Sequence, residues 1–96
     1  MAQKLPPEIP IVYKAPDEER KIWLDWAGYL FGETIESCTF PETSSLVNEE
    51  DFFDDSETWV MVSGGTIGSK CLVTTRVVTS GGETLEQSVE VRIVRT

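Results

Sequence analysis

The chain has 96 residues with seventeen acids, eight bases and no histidine, a formal net charge of −9. That length holds one domain, which buries about two-thirds of its unfolded surface against an ordering cost of roughly 100 to 150 kcal/mol, so nearly every apolar residue must serve one core. The missing histidine excludes imidazole chemistry, and the negative surplus repels phosphate backbones and anionic headgroups, so nucleic acid and membrane are not expected partners.

The N-terminus MAQKLPPEIP has no apolar signal region and no run of eighteen apolar residues follows, so a chain folding in a cytosol is expected. Cys38 and Cys71 fit that compartment as small buried hydrophobes, and their spacing matches no zinc or redox motif. Sequence alone leaves their pairing open.

Four of the five prolines, Pro6, Pro7, Pro10 and Pro16, lie in the first sixteen residues and discourage both helix and central strand. Residues 1–16 read as an extended arm, either frayed or docked on a neighbour through Ile9, Ile11, Val12 and Tyr13. Residues 17–96 are then the folded domain. In 21–26 the apolar positions alternate, with Ile22, Leu24 and Trp26 on one face and Trp23 and Asp25 on the other, the pattern of a half-buried strand. Tyr29, Leu30 and Phe31 sit between Gly28 and Gly32 in a loop or short turn that tucks an apolar residue under the sheet edge. A second strand is expected over 34–40, with Cys38 and Phe40 on one face, ended by Pro41.

A polar connection with a brief strand near 45–47 leads to residues 49–57, where Glu49, Glu50, Asp51, Asp54, Asp55 and Glu57 make six acids in nine positions. Charges at that density resist packing, which predicts an exposed loop with Phe52 or Phe53 folded inward. Strand signals return over 58–62, with Trp59 as a packing residue, and stop at the turn formers Gly64 and Gly65, followed by Gly68. The β-branched run 71–79, a turn at Ser80-Gly81-Gly82, and 83–94, which sets Leu85, Val89, Val91 and Ile93 against Glu86, Ser88, Glu90 and Arg92, form a hairpin. No helical apolar stripe exceeds two turns. Five or six strands with regular turns describe an all-β domain, a small immunoglobulin-like Greek-key β-sandwich with Trp26 as its central aromatic; a small barrel is the competing solution.

Catalytic and cofactor signals are weak throughout. Gly64-Gly65-Thr66-Ile67-Gly68-Ser69-Lys70 lacks the GxxxxGK[ST] spacing and the following helix of a phosphate loop. The acidic run offers carboxylates to Ca²⁺ but lacks the DxDxDG order, so no metal and no cofactor is expected, and a solvated loop or a contact with a basic neighbour remain. Neither cysteine has a histidine to activate it, and the acids have no pocket to separate their pKa values, so the chain is expected not to be an enzyme.

Lys14-Ala15-Pro16-Asp17-Glu18, Leu24-Asp25-Trp26, Leu30, Gly32-Glu33-Thr34-Ile35, the segment from Trp59 to Gly68 and the segment from Thr74 to Gly82 stand in the order of a known pattern. Together, over roughly residues 14 to 92, they resemble the fibre-tail adaptor proteins of tailed bacteriophages. Cys71 and Thr75 depart from that pattern, where an aromatic residue and Asn are usual. The resemblance implies an immunoglobulin-like virion module that joins other structural proteins, placed at the tail, neck or fibre region, present in several symmetric copies and without catalytic residues. Its matching positions are packing (Trp26, Trp59) and turn residues (Gly64, Gly65, Gly68, Gly81). A capsid decoration protein on the phage head is the alternative placement, and a glycan-binding module using Trp23 and Tyr29 as stacking platforms is a third reading.

Overall fold

The computed structural model describes residues 2–4 and 9–95, with side chains from residue 9 onward. Eight strands and one helical turn follow in order: β1 (Ala2–Lys4), β2 (Ile11–Lys14), β3 (Arg20–Asp25), α1 (Ala27–Leu30), β4 (Ile35–Glu42), β5 (Val47–Phe53), β6 (Glu57–Ser63), β7 (Lys70–Thr79) and β8 (Thr84–Ile93). They form two sheets. In the larger, β4, β7 and β8 lie side by side, and both β1 and β2 pair parallel with β8, at opposite ends of it. This sheet is therefore four strands abreast. In the smaller, β6 is flanked on both sides by antiparallel partners, in the order β3-β6-β5.

The two sheets pack face to face as a β-sandwich. Side chains pointing to alternate faces along β6, β7 and β8 send Val60 and Val62, Val73 and Val77, and Leu85, Val89, Val91 and Ile93 into the space between the sheets. Each such side chain contributes about 1.5 to 3 kcal/mol by leaving water. Ile22, Leu46 and Cys71 complete one half of the core, and Trp26, Leu30 and Ile35 fill the other with Val77 and Leu85. Trp26 is fully buried and its indole N–H donates to Thr58 Oγ1 at 3.0 Å, which satisfies the one polar atom that its burial would strand.

Several expectations need correction. The acidic run is not a loop: β5 carries it through Phe53 and only residues 54–56 turn. An edge strand keeps every acid in water while β6 satisfies its backbone on one side, so charge density and strand pairing do not conflict there. Phe52 and Phe53 stay substantially exposed, and Phe52 points to the outer face of the sheet. The strand expected near 45–47 begins at Val47 instead, after a turn at Thr43–Leu46. Pro41 does not end β4 but lies within it, between Thr39 and Glu42 where the register with β7 breaks; on an edge, its missing N–H costs no ladder bond.

Residues 11–14, expected within an arm, are a strand of the larger sheet, and Lys14 and Ala15 are buried. At the last hairpin it is Gly82, with φ +90°, that takes the left-handed conformation; Gly81 sits against the Glu33 carboxylate, where a side chain would clash. The short apolar segment after β3 does tuck Leu30 inward, as a single helical turn closed by Phe31 at φ +50°.

Candidate interaction surfaces

From Ile22 to Ser69 the chain holds ten acids and no lysine or arginine. The fold gathers most of them on and around β5, all seven of whose residues are exposed. Three acids of the run are tied locally through their side chains. Asn48 Nδ2 donates to Asp51 Oδ2 at 2.9 Å and Ser63 Oγ to Glu49 Oε2 at 2.5 Å, while Asp54 Oδ1 accepts the backbone N–H groups of Ser56 and Glu57, both at 3.0 Å. Asp54 is thus a turn-former, and the Glu57 backbone closes the same turn on Asp54. Glu50 and Asp55 make no side-chain hydrogen bond to another described residue. Among the described residues, no three His, Cys, Asp or Glu side chains converge on a point that would hold a cation.

Beside these acids runs an aromatic row whose members the sequence divides between packing and glycan-binding roles. On the outer face of the smaller sheet, Trp23 is in register with Trp59 and Trp59 with Phe52. Phe52 and Trp59 stack at 5.8 Å between centroids and 22° between planes, and Lys21 Nζ lies 4.4 Å from the Trp59 ring centroid. The ammonium meets the negative face of the indole, a cation–π contact. Trp59 is half-buried by these neighbours rather than part of the core; Trp23 keeps 51% of its surface exposed. Alternation in β3 and β6 locates the row once β5 is recognised as the other neighbour of β6.

A second exposed group stands at one end of the sandwich. Three turns are stitched together there: Trp26 N–H donates to Ser56 O (2.8 Å), Ile35 N–H to Asp55 O (2.9 Å) and Ser80 N–H to Thr34 O (2.8 Å). From this end Phe31, 88% exposed, and Tyr29 project into solvent. The third group is the segment leading into and along β2, where Ile9, Ile11 and Tyr13 face outward and Val12 packs against the core. Gly64, Gly65 and Gly68 adopt positive φ in the β6–β7 connection, and of these three only Gly65 is crowded, by Ile93 and Leu46.

Lys14 ties two of these regions together. Its buried ammonium donates to the carbonyl oxygens of Ala15 (2.8 Å) and Pro16 (3.3 Å) in its own link and to that of Gly64 (2.5 Å), so one of three charge-assisted bonds fastens the β2–β3 link to the β6–β7 turn.

The two thiols do not form a nucleophilic centre. Burial, and secondarily the Asp51 carboxylate, push the Cys38 thiol up to about 11, so it is protonated at neutral pH; Cys71 is buried. What the molecule presents is a set of strand edges and aromatic and acidic patches around a closed core.

No curated protein matches the chain. The family model for podophage GP4 fiber-tail adaptor protein gp77 matches residues 14–92, from the buried Lys14 to the penultimate residue of β8. That span takes in both sheets apart from β1, most of β2 and the last position of β8, and with them every acid of β5 and the whole aromatic row, so the chain belongs to the podophage GP4 fiber-tail adaptor protein gp77 family.

Proposed function

We propose that this phage structural protein is a non-enzymatic adaptor of the virion, joining fibre or accessory proteins to the tail or neck, and that it does so in several copies. The observation that carries the reading is the family match across the sandwich, on a molecule whose distinctive side chains are displayed outward instead of gathered in a pocket. Two contact surfaces serve the joining. Ile9, Ile11 and Tyr13 offer an apolar strip beside β8, with Val12 anchoring it, and the acids Glu49, Glu50, Asp51, Asp55 and Glu57 offer a charged one, with Asp54 holding their turn. The strand order β3-β6-β5 facing β4-β7-β8, with β2 beside β8, supports an immunoglobulin-like reading of the sandwich.

Localising the protein on intact particles tests the assignment. Density or antibody label at the tail vertex is the expected result. Label spread over the head surface would replace the adaptor with a capsid decoration protein.

A further inference from the structure

Among the described residues no strand pairs with either outer edge of the smaller sheet, and the two edges carry opposite charges at the end where Lys21 and Glu50 share a row. β3 presents Arg20 and Lys21 at one edge; β5 presents Glu49, Glu50 and Asp51 at the other. The rows between them are fixed by register: Glu50 runs through Met61 to Lys21, and Phe52 runs through Trp59 to Trp23. Because β3 and β5 are each antiparallel to β6, they run in the same direction. A strand identical to β3 laid parallel beside β5 on these rows sets Lys21 by Glu50 and Trp23 by Phe52, and places Asp51 by Ile22, one position along from Lys21.

We propose that the smaller sheet continues from copy to copy, the β5 edge of one molecule pairing with the β3 edge of the next. The surface gives the multi-copy reading above, on which it rests, a physical basis. Open strand edges present unmet N–H and C=O groups that pair readily with another chain, and β-strand addition uses that backbone affinity while side chains set the specificity. Here the specificity is directional. Two β5 edges meeting antiparallel would oppose acids with acids, whereas the head-to-tail joint sets Lys21 by Glu50, with Asp25 by Asp54 as a like-charge contact at the end of the rows. The aromatic row gains area in the same joint, and the Lys21–Trp59 contact already displays the cation–π chemistry that a second Lys21 meets near Phe52. By contrast β4, an edge of the larger sheet, is blunted by Pro41 and two register breaks.

The test uses the purified full chain and two charge-reversed variants, Glu50→Lys with Asp51→Lys, and Arg20→Glu with Lys21→Glu. Sedimentation at low salt should show the wild type assembling as concentration rises and dissociating as salt is added. Each variant alone, with like charges at both edges, should lose assembly. An equimolar mixture should regain it, because each variant then meets an opposite edge on the other. A wild type that stays monomeric, a variant that assembles alone as the wild type does, or a mixture of folded variants that stays monomeric would each overturn the proposal. Should a variant fail to fold, wild-type amide exchange decides: β3 and β5 amides must slow as concentration rises, and unchanged rates reject the joint. Because every arm uses isolated protein, its failure is distinct from a failure to find the chain at the tail vertex.

Discussion

Lys14 illustrates how a charged side chain can be structural. Three carbonyls solvate its ammonium in place of water, and they belong to two segments about fifty residues apart. Lys14→Met keeps the bulk but leaves those oxygens unpaired, and should lower unfolding free energy by on the order of 3 kcal/mol in a denaturant titration. Trp26→Phe removes the indole N–H that Thr58 accepts and part of the ring volume; a loss of about 2 kcal/mol is expected, and adding Thr58→Val to that variant should recover some of it. Cys38 gives a pH signature. Its folded-state pKa lies above the ordinary thiol value of 9.0, so the folded form holds the proton more tightly and the associated stability, complete below pH 9, is lost as pH rises towards 11. Cys38→Val should remove that part of the alkaline loss, read from melting temperatures across the window, and Asp51→Asn should reduce it only partly because burial is the larger cause.

Elements differ in how openly their sequences declare them. β7 and β8 are legible because a long β-branched run and an alternating one are joined by a Gly-Gly turn, so length and pairing agree. β3 is legible by its alternation, down to which tryptophan is buried. β5 is hidden by its own charges: local composition argues for solvent, and solvent is available to an edge strand on every side but one. Phe52 consequently reads as inward-facing, since nothing within the acidic run announces Trp59 as its neighbour. β2 is four residues flanked by Pro10 and Pro16, and its parallel partner β8 lies about eighty positions away, a pairing no local pattern contains. The β6–β7 connection is legible as a turn, but which glycine is indispensable depends on packing. Gly65 has φ +105°, and a Cβ there would stand 2.7 Å from Ile93 Cδ1. Gly65→Ala should therefore cost about 2 kcal/mol or more, while Gly64→Ala, strained but unobstructed, should cost less in the same thermal melt.

At the scale of the molecule, β2 joins the family-matched span to the N-terminal residues, and removing it is not a trim. A chain starting at Asp17 loses both strands that pair parallel with β8, β1 and β2, and with them the buried Lys14 and Ala15. It should unfold at markedly lower temperature than the full chain in calorimetry, so loss of incorporation into particles by such a truncation would report folding and not docking. Tyr13→Ser with Ile11→Ser is the cleaner probe of the apolar strip, since both side chains face outward.

The sheets also differ in width. Four strands abreast span roughly 19 Å and three roughly 14 Å at the usual spacing of about 4.8 Å. Copies joined edge to edge through the narrower sheet have a repeat shorter than the wider sheet requires. The row must then bend, with the three-stranded layer on the concave side where arc length is least. Unequal layers thus give the repeat a wedge shape, and wedges set side by side tend to close on themselves instead of extending as a straight fibre. The aromatic row, lying on the outer face of the narrow sheet, would line the inside of that curve.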